Sequence, residues 1–320
     1  EGGGQYDVSA NGTIVYLTGQ SAGSRNSLVW IDAQGRQTPA GSTKREYLSP
    51  ARLSPDGRKA AIPIVTDGNT DIWIQDLERE TLTRLTFDEG RDLYPVWSAD
   101  GRDLYFTSNR NTKWVILRKH ADGTGDEETM LSSESEMDAY STSSDGKLFG
   151  YHMALPDGDP YLLPLTGERK PRPLFQSKAS EGDPVFSPDG RWITYDSDES
   201  GRWEVYVRPA SGEGSRWQVS AQGGEFARWS KDGATIYYQE RGKAAWRVPV
   251  RAVGASLEVG RPERMFDLPT TLQADWDISA DGKRFILVQS ETATLAGGRN
   301  MIKLAFNWFD ELRATLGAGR

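Results

Sequence analysis

A four-residue pattern, Ser-x-Asp/Asn-Gly, returns along the whole chain and limits what it can fold into more than any other feature. Copies begin at Ser9, Ser54, Ser98, Ser143, Ser187, Ser230 and Ser279, at successive spacings of 45, 44, 45, 44, 43 and 49 residues. A tight turn repeated with a period in the forties is the signature of a β-propeller blade. The turn chemistry agrees with this. Serine opens a type I turn, proline suits its second position (Pro55, Pro188), and glycine at the fourth takes the positive φ that closes a bulged hairpin. An apolar residue precedes most copies, as at Val8, Leu53, Trp97, Phe186, Trp229 and Ile278.

Each turn therefore joins an inner strand A to a strand B, as in Thr13–Leu17, Asp103–Phe106 and Trp192–Tyr195. A strand C follows a polar loop (Ser27–Ile31, Asp71–Gln75, Trp203–Val207), and a short strand D comes next (Thr81–Leu85, Arg216–Val219). Seven A, seven B, seven C and six D strands can be counted, 27 in all. This predicts an all-β, seven-bladed propeller of four-stranded antiparallel blades, with six or eight blades as alternatives. The repeat units run about 5–48, 49–92, 93–137, 138–181, 182–224, 225–273 and 274–316, and no linker interrupts residues 1–320 as one domain. The last unit lacks its outer strand. Asn307 can instead cap a short C-terminal helix whose Trp308, Phe309 and Leu312 would cover the open edge.

Composition narrows the function classes. A net charge of −8 argues against a nucleic-acid partner. The absence of cysteine removes disulfides, thiolate metal sites and cysteine nucleophiles. No stretch is long and apolar enough for membrane insertion, and the Gly-rich opening reads as the start of a mature or excised domain rather than a signal peptide. A monomeric domain is expected.

The Ser-Pro-Asp-Gly hairpins, followed downstream by Asp71–Leu77, resemble the WD-repeat-like units of TolB-like propellers. The segments Gln5–Ser9, Trp203–Pro209, Trp217–Ser220 and Phe306–Leu312 also resemble the C-terminal extracytoplasmic propellers of bacterial membrane serine/threonine kinases. The resemblance implies an extracytoplasmic or periplasmic sensor or scaffold that binds a ligand or protein. Composition itself leaves the compartment open.

Motifs with catalytic meaning are few. Gly19-Gln-Ser-Ala-Gly23 matches the hydrolase elbow pattern but lacks the strand-to-helix context that makes its serine reactive. Asp196–Gly201 starts like a calcium loop, yet Val207 stands where the closing glutamate is required, so it reads as a polar loop. Of the two histidines, His120 falls near a C–D turn, whereas His152, near the end of a strand B, is the one catalytic candidate.

In propellers a ligand binds at one mouth of the central channel, here the face carrying the D–A and B–C loops. The expected rim is Asp92, Tyr94, Asp138, Tyr140, Asp183, Glu225, Phe226 and Trp276, an acidic and aromatic set suited to a peptide, protein or small-molecule ligand. Two residues before the motif serines stand Asp7, Arg52, Val96, Ser141, Val185, Arg228 and Asp277. Seven-fold closure would set Asp277 beside Asp7 between Arg52 and Arg228, as a channel salt-bridge ring. The alternative neutraliser of Asp7, Asp275 and Asp277 is a divalent cation such as calcium. Three functions follow: a binding propeller, a metal-dependent hydrolase of the lactonase, arylesterase or phosphotriesterase type, or a structural support for a fused enzyme.

Overall fold

The computed structural model describes residues 25–48, 50–154 and 158–290, together with the backbone of the strands Tyr6–Val8, Ile14–Leu17 and Ile302–Ala305. The described strands fall into two units, one spanning Arg25–Glu291 and the other built from both ends of the chain.

The larger unit is a ring of six blades, not seven. Blade I holds a broken strand A (Glu46–Tyr47, Arg52–Leu53), then Lys59–Thr66, Asn69–Asp76 and Leu82–Arg84. Blade II is Asp92–Trp97, Asp103–Arg110, Lys113–His120 and Glu128–Ser133; blade III is Met137–Thr142, Leu148–Met153, Asp159–Pro164 and Arg172–Pro173. Blade IV is Glu181–Phe186, Trp192–Ser197, Glu204–Pro209 and Trp217–Gln218. Blade V is Glu225–Trp229, Thr235–Glu240, Ala244–Val253 and Glu263–Asp267, with Ser256–Val259 added beside the long third strand. Blade VI closes the ring. Its inner strands, Asp277–Ile278 and Arg284–Ser290, come from the last repeat, and its outer ones, Asn26–Asp32 and Gln37–Pro39, from the first.

That shared blade explains the miscount. The motif at Ser279 borrows the C and D strands of the first repeat, through the register Arg284↔Asp32 to Ser290↔Asn26. The three surplus strands, Tyr6–Val8, Ile14–Leu17 and Ile302–Ala305, form a separate antiparallel sheet. No helix occurs among the described residues. The expected helix at 307–316 lies outside them, as does the elbow-like segment at 19–23.

Six hydrophobic clusters hold the ring, one at each blade-to-blade interface. Leu28, Trp30, Ile286 and Val288 of blade VI pack on Tyr47, Ile62 and Ile64 of blade I. Such alternation of buried positions along two facing sheets is what propeller strands require. Polar stitches supplement it. The Trp97 indole donates to Arg52 O (2.9 Å), Trp229 to Val185 O (3.2 Å) and Trp276 to Phe226 O (2.9 Å), each tying a blade to its predecessor.

The repeated turn has one hydrogen-bond scheme in all six ring copies. The serine hydroxyl donates to the aspartate two residues on, as in Ser54–Asp56 (2.6 Å) and Ser143–Asp145 (2.7 Å), and accepts from a backbone N–H five residues on. Bonds from the serine and the Lys147 N–H hold Asp145 at about 2, below the ordinary aspartate value. These aspartates make turns and are not site residues.

Candidate functional site at the channel mouth

The inner strands do more than line the channel, because they are bulged at one repeated position. Four residues before the motif serines of blades II, IV, V and VI stand Tyr94, Asp183, Phe226 and Asp275, all with left-handed φ (51°, 53°, 59° and 70°). Register slips mark the bulges at Leu93/Val96, Gly182/Val185 and Glu225/Arg228, and another at Ala139/Ser141 sets out Tyr140. A bulge re-aims the side chain it carries, at a cost in backbone strain for residues other than glycine.

On one side of the channel a buried charge clamp joins blades V, VI and I. Arg52 binds both carboxylate oxygens of Asp275 (3.1 and 2.5 Å), and Arg228 donates to the same carboxylate at 2.7 Å. The Trp276 N–H adds a further bond at 2.7 Å. Burial works to raise Asp275, but Arg228 and Arg52 outweigh it and hold its pKa below the ordinary value. Asp277 instead accepts from the Leu53 N–H of blade I at 2.8 Å, and burial raises it despite the two arginines. The seam therefore runs from the strand of Asp277 to that of Arg52, and Asp275 is the carboxylate between the arginines. Asp7 stands in the separate sheet, opposite Val15.

A second cluster carries carboxyls without cations of their own. Asp183 of strand A and Asp196 of strand B in blade IV lie within hydrogen-bonding reach of each other, both buried. Burial, then the neighbouring Asp275, push Asp183 up to about 6, although the Tyr140 hydroxyl donates to it. Burial and Asp183 raise Asp196 further, offset in part by the Phe226 N–H, which donates at 2.8 Å. The expected solvated loop thus begins with a buried strand residue. Sequence reasoning missed Asp196, although it follows Trp192 and Thr194 on the same face of strand B.

The remaining expected rim residues separate. Tyr94 and Tyr140 are partly exposed at the channel, and burial raises both hydroxyls. Asp138 pairs across its hairpin with His152, whose Nδ1 lies 3.8 Å from the carboxylate. Glu225 and Phe226 are half-buried, with Arg241 3.8 Å from Glu225 and 5.3 Å over the Phe226 ring. Asp92 and Trp276 are not rim residues. Asp92 is wholly buried beside Arg110 (3.4 Å), and burial pushes it up to about 6. Trp276 is wholly buried and stacks on Phe285 at 4.5 Å. Among the described residues, no group of three or more histidines and acids is arranged to hold a metal.

Comparison with known proteins agrees with this architecture. Residues 7–155 match the family model of the TolB β-propeller domain. The solved structure of an Agrobacterium tumefaciens protein assigned to TolB superposes with a TM-score of 0.64 at 18% identity, over 84% of this chain and 99% of that one. The fold is that of TolB-like β-propellers. An uncharacterized protein of Agrobacterium fabrum is 26% identical over 201 residues, 59% of this chain and 68% of that protein. The uncharacterized peptidase YuxL of Bacillus subtilis is 29% identical over 203 residues, again 59% of this chain but only 28% of its own length.

Proposed function

We propose that this TolB-type propeller is an extracytoplasmic recognition module whose ligand or protein partner docks on the mouth formed by the D–A and B–C loops. One observation carries the reading. Only three large apolar side chains are prominently exposed among the described residues, and two of them, Phe87 (69%) and Trp203 (39%), stand on this face. Phe87 follows strand D of blade I and Trp203 closes the B–C loop of blade IV, so they lie on different blades of one rim. Exposed aromatics among acidic loops are the composition of a binding surface rather than of a solubilising one. The YuxL match supports a module reading, since a similar stretch makes up about a quarter of that longer chain. The extracytoplasmic placement rests on the likeness to TolB.

Photo-crosslinking residues placed at Phe87 and Trp203, compared with Lys147 and Lys283 on the Ser-x-Asp-Gly face, test the proposal in cells. Discrete adducts from the first pair alone are expected. Adducts from the second pair alone, or from neither, would refute it.

A further inference from the structure

We propose that the Asp183–Asp196 carboxyl pair is the seat for an organic cation, an ammonium or guanidinium group of whatever docks at the mouth. This inference rests on the mouth being a binding face and names the chemistry it selects.

Position is the first argument. Asp183 interacts electrostatically with Arg52 of blade I, Tyr94 of blade II, Tyr140 of blade III, Arg228 of blade V and Asp275 of blade VI. A side chain that faces all five other blades stands at the axis, and its bulged, left-handed backbone is what turns it there. Unmet bonding is the second. Asp183 Oδ2 and Asp196 Oδ1 are buried with no donor but a proton shared between the two carboxyls, in side chains only 7% and 3% exposed. Buried carboxylate oxygens are ordinarily paired, and an orphan costs stability that function must repay. The nearest cations cannot fill the need. Arg52 and Arg228 are both committed to Asp275 and the Trp276 carbonyl.

The surroundings favour an organic cation over a metal. Two carboxyls and a tyrosine hydroxyl offer a donor-rich group its acceptors, while the described residues give no three-carboxylate cage. Tyr94 and Tyr140 bring aromatic faces to the same approach, which suits a desolvated ammonium. Glu136 and Asp138 stand beside Tyr94 and extend negative charge outward to steer a cation in. Cation and shared proton compete for the pair. Of the groups facing it, Tyr140 and Tyr94 remain protonated, Asp275 remains ionised, and Glu225, raised by burial, adds its own negative charge to the pair as pH rises. Binding should therefore strengthen as pH rises through this range.

The probe is Nα-acetyl-lysine methylamide, titrated by calorimetry against its neutral norleucine counterpart at pH 7.5. Saturable binding of the lysine derivative alone is expected. It should be at least about tenfold weaker in Asp183→Asn and in Asp196→Asn, as loss of a charge-assisted bond implies. It should be weaker for the wild type at pH 5 and unchanged in Asp126→Asn, in the exposed C–D loop of blade II on the opposite face. Each pair variant removes a carboxyl repulsion, so a melting temperature at or above that of the wild type verifies its fold. Three results overturn the proposal: no saturable binding, equal binding of the norleucine compound, or full affinity in Asp183→Asn. Calcium binding that the lysine derivative does not compete with overturns it too, in favour of a metal. Mouth crosslinks without lysine binding would sink this inference alone; lysine binding without mouth crosslinks would sink the docking surface alone.

Discussion

Asp275→Ala is expected to destabilise the ring more than any other single change at the channel. The substitution leaves two guanidiniums, Arg52 and Arg228, buried at 6% and 4% exposure with their common anion gone. Breaking a buried pair from one side costs about 3–5 kcal/mol, because the stranded charge remains desolvated. For a unit of this size that is a fall in melting temperature of roughly 6–15 °C. The clamp spans the blades that close the ring, so the loss acts on closure and not on one blade. Thermal unfolding followed by circular dichroism checks this. A fall of under a degree would show that the arginines find water or Asp277 instead, and that the clamp does not secure the seam.

Stability should also decline as the solution turns from mildly acidic to mildly basic. Glu181 and Asp159 form a second carboxyl–carboxyl contact, between blades IV and III, and burial pushes Glu181 up to about 7 despite its bonds to Ser177 and Ser197. Asp183 is raised to about 6. A carboxyl whose folded pKa lies above its unfolded value binds its proton more tightly when native. Its stabilising effect is present at low pH and is lost as pH rises from the unfolded value, near 4, through the folded one. From pH 5 to 8 the two groups together forfeit on the order of 4 kcal/mol, or roughly 8–15 °C in melting temperature. The turn aspartates, held below their ordinary value, act in the opposite sense but only below about pH 4. The wild type should therefore melt highest near pH 5, and Asp183→Asn/Glu181→Gln should lose most of the decline to pH 8, keeping the smaller part that buried Asp92 contributes. A wild-type melting temperature that rises over this interval would contradict the assignment of shared protons.

Much of the fold is written locally and is legible. The serine, aspartate and glycine of each turn bond within six residues of one another, so the period, the strand order within a blade and the face carrying each loop follow from sequence. Blade number is not local. Strand Asn26–Asp32 has the same alternation whether it pairs with Ile14–Leu17 beside it or with Arg284–Ser290 across the chain. The one signal against the near partner was the Gly/Ser-rich stretch at 18–27, far longer than the two-residue turn at Asp67-Gly68. The site divides in the same way. Counting back two residues from the motif finds Arg52 and Arg228, because that offset sits in every strand A; the carboxylate between them is two residues earlier, where a left-handed backbone carries Asp275. Asp196 was hidden at the start of a loop rich in acids, in which only burial separates structural carboxyls from solvated ones.

Every statement about which residues meet on the axis depends on closure at six blades, with strands of the first and last repeats sharing blade VI. The chain has no cysteine, so a single engineered pair reports on it cleanly. Ser27 lies directly opposite Gln289 in the hybrid blade, and opposed positions on antiparallel strands bring Cβ atoms within about 4.5–5.5 Å, close to disulfide spacing. Ser27→Cys/Gln289→Cys should oxidise to an intramolecular disulfide in the native state, visible as a mobility shift and intact mass, and raise the melting temperature. Seven-fold closure would instead set Ser27 against Leu17. Disulfide formation in Leu17→Cys/Ser27→Cys, with none in Ser27→Cys/Gln289→Cys, would contradict the six-bladed ring and the axial site built on it.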